Sequence, residues 1–120
     1  MLVNNKPLAN LNFLQNFSKG NPQTIFKYID IFLRNTPDLM LELNKQIAEK
    51  DYPSIEITAH SLKTQYNFIG FTEGENHARN IRNMAKERKD VSTLMIHFRL
   101  LEDLSKMLYE ELNVVKNTLI

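Results

Sequence analysis

Residues 91–117 read VSTLMIHFRLLEDLSKMLYEELNVVKN, and this stretch decides the fold class. Its apolar residues recur every three or four positions, which is the period of one face of an α-helix. They are Leu94, Phe98, Leu101, Leu104, Leu108, Leu112 and Val115. Almost no period-2 alternation, the pattern of a β-strand, occurs anywhere in the chain. The stretch therefore predicts a long helix with one buried face, and Asp90 is its predicted N-cap.

Before this helix, proline and glycine mark the predicted helix ends. A short helix is expected over residues 8–17, followed by a break at Gly20. Asn21-Pro22 then offers an N-cap with proline at the first helical position, and it predicts a helix over 22–35. Thr36-Pro37 has the same form, so a second break and a further helix as far as Lys50 are expected.

Two more helices complete the prediction. One covers residues 53–69 and stops at Gly70, because glycine readily takes the left-handed conformation of a helix C-terminus. The other covers 72–88, and residues 72–75, Thr-Glu-Gly-Glu, have the form of a capping box. Short loops between long amphipathic helices favour antiparallel neighbours. We therefore expect one all-α domain over residues 1–120, an antiparallel up-down four-helix bundle with additional short N-terminal helices.

Composition excludes several classes of function. The 120 residues are 42% hydrophobic, enough for a core, and the net charge of +1 from 15 basic and 14 acidic residues argues against nucleic-acid binding. The absence of cysteine excludes disulfides and cysteine-ligated metal. No apolar run approaches the roughly 20 residues that cross a bilayer. We therefore expect a cytoplasmic protein that does not bind membranes.

The helix over 53–69 carries the residues suited to chemistry. Its predicted core face comprises Ile55, Ala59, Leu62, Tyr66 and Ile69, and a second face comprises Glu56, His60, Lys63, Thr64 and Asn67. His60 should thus point to solvent, with Lys63 one turn along. A neutral imidazole is a good nucleophile near pH 7, and a nearby ammonium can counter the charge of a phosphoryl group. The same spacing also fits an ordinary solvated helix face.

The residues around His60 form a wider pattern. Residues 59–63 read Ala-His-Ser-Leu-Lys, and Gly70 lies ten residues after the histidine. This resembles the signature of histidine-containing phosphotransfer (HPt) domains, Ala-His-x-Leu-Lys-Gly with a glycine ten residues after the histidine. The helical layout over residues 8–112 is similar to that of the family as well.

The resemblance implies a function. His60 would accept a phosphoryl group from the aspartate of a response-regulator receiver domain and pass it to another receiver, with Lys63 as electrostatic helper. The protein would be a phosphoryl carrier and not an enzyme, without kinase activity or a cofactor of its own, because the receiver supplies magnesium. Receiver domains, and a hybrid histidine kinase as a further candidate, would be its partners. We expect a monomer, since one bundle completes its own core.

Two residues depart from the family pattern. Thr64 replaces the glycine after the lysine, and it would either narrow access to His60 or bond the phosphoryl oxygens. Arg82 stands where the family commonly has a glutamate or glutamine that orients the histidine ring. Arginine has no acceptor for a ring N–H, but it can contact phosphate. Asn67 is a further candidate neighbour of the phosphoryl group. The departures leave an alternative open, namely a helical docking module that binds a receiver or histidine kinase without carrying phosphate.

The other candidate sites are less specific. His77 and His97 are expected to be surface or boundary residues, and no metal site is predicted because Glu-x-x-His pairs are absent. The fifth predicted helix carries a basic face, which suits either an acidic partner or plain solvation. It consists of Arg79, Arg82, Lys86 and Lys89. Exposed apolar residues near His60, with Phe13, Phe17 and Phe68 as candidates, could form a docking patch.

Overall fold

The computed structural model describes residues 6–119, so residues 1–5 and 120 of the predicted domain lie outside the described residues. Five helices make up most of this range, and no strand occurs within it. They are α1 (Asn12–Phe17), α2 (Pro22–Ala48), α3 (Tyr52–Ile69), α4 (Thr72–Lys86) and α5 (Val91–Thr118). The all-α fold class is confirmed, with one short helix before four long ones.

The predicted break at Thr36-Pro37 is wrong, because α2 continues through Pro37 without interruption. Proline cannot donate a backbone hydrogen bond, and inside a helix it costs about 3 kcal/mol. Burial on both sides of the proline offsets that cost, since Phe32, Thr36 and Met40 lie one turn apart on a single buried stripe. The Thr36 hydroxyl also donates to the Phe32 carbonyl at 2.8 Å, which satisfies its buried polar atom within the helix.

Side-chain caps fix the start of three long helices. Asn21 accepts a hydrogen bond from the Thr24 amide at 3.0 Å, and Asp90 accepts one from the Thr93 amide at 3.0 Å. Both predicted caps are confirmed. The hydrogen bond from the Thr93 side chain, together with that from the amide, lowers the pKa of the Asp90 carboxyl below its usual value. Asp51 caps α3 in the same way.

One predicted cap and one predicted helix start differ from the structure. α4 begins at Thr72, as predicted, but the capping box at 72–75 is wrong, because the N-cap position is Phe71, without a side-chain cap. Phe71 is completely buried instead, and its ring contacts the Tyr66 ring, with the two centroids 5.2 Å apart. The first helix starts at Asn12 and not at residue 8. The amides of Leu8 and Ala9 donate to the Glu111 side chain instead of forming helical hydrogen bonds.

The four long helices share one core. α3 packs against α2 and α4, and α5 packs against the same two helices. The predicted core face of α3 is confirmed, since all five of its residues are completely buried: Ile55, Ala59, Leu62, Tyr66 and Ile69. α4 buries a stripe made mostly of small residues, which lets it approach α3 closely: Gly74, Ala78, Ile81 and Ala85. The stripe of α5 is also buried, apart from Leu104 and Val115, which are half-buried.

A buried polar contact lies within this core. The Tyr66 hydroxyl is 3.0 Å from the Ser105 hydroxyl on α5 and donates to the Met40 sulfur on α2 at 3.6 Å. One phenol thus links three helices. Burial raises the pKa of Tyr66 well above its ordinary value, so the phenol stays protonated in the folded protein.

The N-terminal strap, defined as residues 8–11, crosses one end of the helices. The Glu111 carboxylate on α5 accepts hydrogen bonds from the amides of Leu8 and Ala9, at 2.8 and 2.9 Å. The Asn10 amide donates to the Gly70 carbonyl at 3.0 Å. Gly70 has φ +72°, and a Cβ there would overlap the Asn10 carbonyl oxygen. The strap therefore requires glycine at the C-terminus of α3.

We predict that Tyr66→Phe lowers the free energy of unfolding by about 1 kcal/mol at pH 7, through loss of a buried hydrogen bond. The difference from wild type should shrink by about 1.4 kcal/mol per pH unit above about pH 10. Above that pH only the unfolded wild-type chain can release the Tyr66 proton, which destabilises the wild type and not the variant. Urea unfolding between pH 7 and 11 measures both effects. A difference that stays constant over this range would contradict the buried hydroxyl.

We predict that Gly70→Ala destabilises the protein by at least about 2 kcal/mol, from left-handed strain and from overlap with the strap. Gly20→Ala is the matched control, because Gly20 has φ +74° and open space where a Cβ would stand. It should cost only the conformational strain, about 1 kcal/mol. Urea unfolding of both variants gives the comparison. Equal losses of unfolding free energy in the two variants would show that the strap leaves room for a Cβ at Gly70.

Candidate functional site

His60 lies on the outer face of α3 and is exposed, as predicted. Its neighbours Ala59 and Leu62 are completely buried. Because each residue turns the helix by about 100°, burial of these two directs His60 to solvent. Within residues 6–119 the ring of His60 forms no hydrogen bond or ion pair. Its nitrogens are therefore free to meet an incoming group.

A shallow hollow of about 380 Å³ opens over His60. Arg82 of α4 lines it beside the histidine, although the two residues are 22 apart in sequence. The remaining lining comes from α3: Pro53, Glu56, Ile57 and Ser61. In the described part of the chain no carboxylate lies within ion-pair distance of Arg82. The hollow thus holds a nucleophilic ring and an unpaired guanidinium, which suits an anion.

Glu56, one turn before His60, is the carboxylate of this hollow. Its Oε2 lies 3.9 Å from Nη1 of Arg88, whose guanidinium also covers the Tyr52 ring at 5.1 Å from the centroid. The Tyr52 hydroxyl donates to the Lys89 carbonyl at 2.8 Å. These contacts hold the start of α3 against the end of α4, and so fix the helix on which His60 stands.

Thr64 is exposed one turn after His60, but its hydroxyl is already used. Thr64 Oγ1 donates to the backbone carbonyl of His60 at 3.1 Å. Its proton is therefore directed into α3, and only the oxygen lone pairs face outward. Thr64 lines a separate hollow on the α2 side of α3.

Asn67 and Lys63 do not line the hollow over His60. The Asn67 amide donates to the Glu75 carboxylate of α4 at 3.3 Å, and Arg79 donates to the same carboxylate at 3.3 Å. Asn67 is about 10 Å further along the helix axis than His60. Lys63 is half-buried, one turn after His60 along α3. Of the predicted neighbours of His60, the structure brings only Arg82 into the same hollow.

The predicted basic face of α4 is partly neutralised. Arg79 pairs with Glu75 at 3.3 Å, and Lys89 pairs with Glu87 at 3.7 Å. Arg82 and Lys86 have no such partner among residues 6–119. The unpaired positive charge of this face is therefore concentrated at two residues: Arg82, in the hollow with His60, and Lys86, one helical turn further along α4.

An aromatic patch lies further along α3, where α3 meets α1 and α2. It consists of Phe13 and Phe17 of α1, Tyr28 of α2 and Phe68 of α3, and the ring centroids are 5.4–6.2 Å apart. Phe13 is 57% exposed and Phe17 is 53% exposed. Phe68 is eight residues, about two turns, after His60. Exposed aromatic rings in a contiguous group are typical of protein-binding surfaces.

Ile57 extends the apolar surface on the other side of His60. It is 69% exposed and lies nearly one turn before the histidine, at the rim of the hollow. Apolar surface thus lies along α3 in both directions from His60, at the exposed Ile57 before it and at the half-buried Phe68 two turns after it. Phe13, Phe17 and Phe68 were expected from the sequence, whereas Tyr28 and Ile57 were missed. Helical position gave one available signal, since Ile57 lies about 60° around α3 from His60 and almost opposite the core face.

The remaining histidines are not part of this site. His77 and His97 are half-buried, and their Nδ1 atoms are buried without a hydrogen-bond partner. Between residues 6 and 119 no group of three His, Cys, Asp or Glu side chains could hold a metal ion. None of the described helices is long and apolar enough to cross a membrane.

Comparisons of the chain with models of known protein families, with curated proteins and with solved structures give no match.

Proposed function

We propose that this protein is a histidine phosphotransfer protein that carries a phosphoryl group on His60. The observation that carries the proposal is the hollow that the exposed His60 and the unpaired Arg82 line together. In this proposal α2–α5 form an antiparallel up-down four-helix bundle, as in the HPt family that residues 59–70 resemble. Such a bundle needs no catalytic loop, because phosphoryl transfer depends mainly on positioning and charge stabilisation.

The transfer itself is a displacement at phosphorus. An unprotonated ring nitrogen of His60 attacks the acyl phosphate of a receiver aspartate, a P–N bond forms and the P–O bond to the aspartate breaks. The receiver carboxylate leaves with the electron pair, and the other ring nitrogen keeps its proton. The reverse reaction on a second receiver completes the relay. The receiver supplies magnesium, and the carrier needs no kinase chemistry of its own.

Three side chains would support this step. Arg82 stabilises the transferring phosphoryl oxygens, and Lys63 adds positive charge from one turn away. Glu56 is the acceptor available to a ring N–H of His60, since Arg82 cannot accept one. Thr64 and Asn67 have lesser roles, because their donors are engaged by the His60 carbonyl and by Glu75.

The apolar surface would provide the docking face. Ile57 and the aromatic patch flank His60 along α3, so that a receiver seated on both would bring its aspartate to the ring. The unpaired Arg82 and Lys86 would favour an acidic partner during encounter. The proposal places the protein in the cytoplasm, as a monomer that meets receiver domains or a hybrid histidine kinase there.

A second candidate function is a docking module that binds a receiver or histidine kinase without carrying phosphate. The observation that favours it is that Thr64, Asn67 and Lys63 do not line the hollow over His60. The two functions share the docking face and differ only in whether His60 reacts.

We predict that wild-type protein takes an acid-labile, base-stable label from at least one of a panel of phosphorylated receiver domains, with magnesium. His60→Ala should take none, because it lacks the nucleophile. His77→Ala is the matched control and should be labelled like wild type. Binding without label, by receivers that phosphorylate another carrier, would reject phosphotransfer and support the docking module.

We predict that Arg82→Gln slows labelling of His60 by about tenfold, since one charge-assisted contact to the phosphoryl group is lost. Arg79→Gln removes the same charge from α4 outside the hollow, and its effect on the rate should be less than about twofold. Single-turnover labelling by one receiver measures both variants, and urea unfolding checks that neither loses its fold. Equal rates for the two variants would remove Arg82 from the mechanism.

A further inference from the structure

Glu111 is a side chain that the proposed transfer does not use, and it makes the longest-range polar contact of the described fold. Its two carboxylate oxygens accept separately from the consecutive amides of Leu8 and Ala9, at 2.8 and 2.9 Å. More than one hundred residues separate the partners in sequence. Hydrogen bonds to an ionised acceptor are about twice as strong as neutral ones. Glu111 therefore fastens the strap to α5.

The strap leads directly into α1. After Ala9, the Asn10 amide donates to the Gly70 carbonyl at 3.0 Å, and the Asn10 side chain accepts from the Asn12 amide at 3.0 Å. α1 begins at Asn12. The polar contacts from Glu111 to Asn12 thus form a continuous path along the chain, from α5 across the end of α3 to the first turn of α1.

α1 depends on this path for its position. It has six residues, too few to be stable as an isolated helix, and Leu14 is its one completely buried residue. Its ring contacts come from Phe13 and Phe17, which are more than half exposed. A helix so lightly packed depends for its position on the chain at both of its ends. After α1 the Gly20 amide donates to the Gln15 carbonyl at 2.9 Å in the turn that leads to α2, and before α1 the chain is the strap.

We propose that Glu111 is a positioning residue for partner docking: by clamping the Leu8 and Ala9 amides, it holds Phe13 and Phe17 in the aromatic patch that a receiver contacts. This inference rests on the proposed function, because it takes the patch as the docking face. Glu111 itself touches neither the partner nor His60. It acts from α5, through the strap and α1.

Glutamine is the substitution that tests the clamp most directly. Glu111→Gln keeps the shape of the side chain, but it replaces one acceptor oxygen with an NH₂ group that would face an amide N–H. One of the two hydrogen bonds is then lost and the other becomes neutral. Glu110→Gln is the matched control, since Glu110 is exposed and its side chain makes no hydrogen bond or ion pair with the rest of residues 6–119.

The experiment has three readouts on wild type and both variants. Hydrogen exchange by NMR follows the Leu8 and Ala9 amides, and titration calorimetry and labelling use the receiver that labels wild type fastest. Phosphoramidate is a small donor that needs no docking, so its labelling above the background of His60→Ala reports the reactivity of His60: its P–N bond breaks, ammonia leaves and a P–N bond to the ring forms. Far-UV circular dichroism verifies that the long helices persist.

For Glu111→Gln we expect about tenfold faster exchange at Leu8 and Ala9, about fivefold weaker receiver binding and unchanged labelling by phosphoramidate. Glu110→Gln should match wild type in all three. If the Leu8 and Ala9 amides of Glu111→Gln exchange at the wild-type rate, the clamp is overturned, whether or not receiver binding changes. Faster exchange with unchanged receiver binding would overturn the role in docking. If wild type neither binds nor is labelled by any receiver, the proposed function itself fails, and the docking inference fails with it.

Discussion

The complete burial of one stripe of α3 is the constraint on which the rest of the site depends. Ala59 and Leu62 have no exposed surface, and the helical period then leaves His60 no direction but outward. The same burial fixes the rotation of α3 against α4, so Arg82 of the neighbouring helix lines the hollow over the histidine. The candidate site is therefore built on two packed helices without a loop. Rigid elements of this kind hold a reacting group in a defined place, which suits a chemistry that depends on positioning.

The fold could be predicted from sequence wherever the signal was local. The apolar stripes of α3, α4 and α5 and the caps at Asn21 and Asp90 follow from helical spacing and from the hydrogen-bonding capacity of short polar side chains. The break predicted at Pro37 is wrong because local sequence shows the cost of a proline but not the tertiary burial that offsets it. The burial of Phe32, Thr36 and Met40 against other helices keeps α2 continuous. The predicted capping box is wrong for a similar reason: a tertiary contact, the burial of Phe71 against Tyr66, sets the start of α4.

The candidate site could be predicted only in part. The exposure of His60 follows from the period of α3, which the sequence shows directly. The hydrogen bond of Thr64 to the His60 carbonyl and that of Asn67 to Glu75 depend on side-chain rotamers and on the neighbouring helix. The contact of Glu111 with the strap joins residues more than one hundred positions apart, and no local pattern signals it. Long-range polar contacts of this kind cannot be predicted from the hydrophobic periodicity of the sequence.

The two-residue turn between α3 and α4, Gly70 and Phe71, has a consequence for changes in chain length. His60 lies ten residues before Gly70, and Arg82 lies eleven after Phe71, so both sit at nearly the same height above the turn. A single residue inserted between either of them and the turn would raise that side chain by about 1.5 Å and rotate it by about 100°. Insertions in the loop after α4 would leave this pairing intact. The segment from His60 to Arg82 is therefore expected to vary in sequence but hardly in length among proteins that share this site.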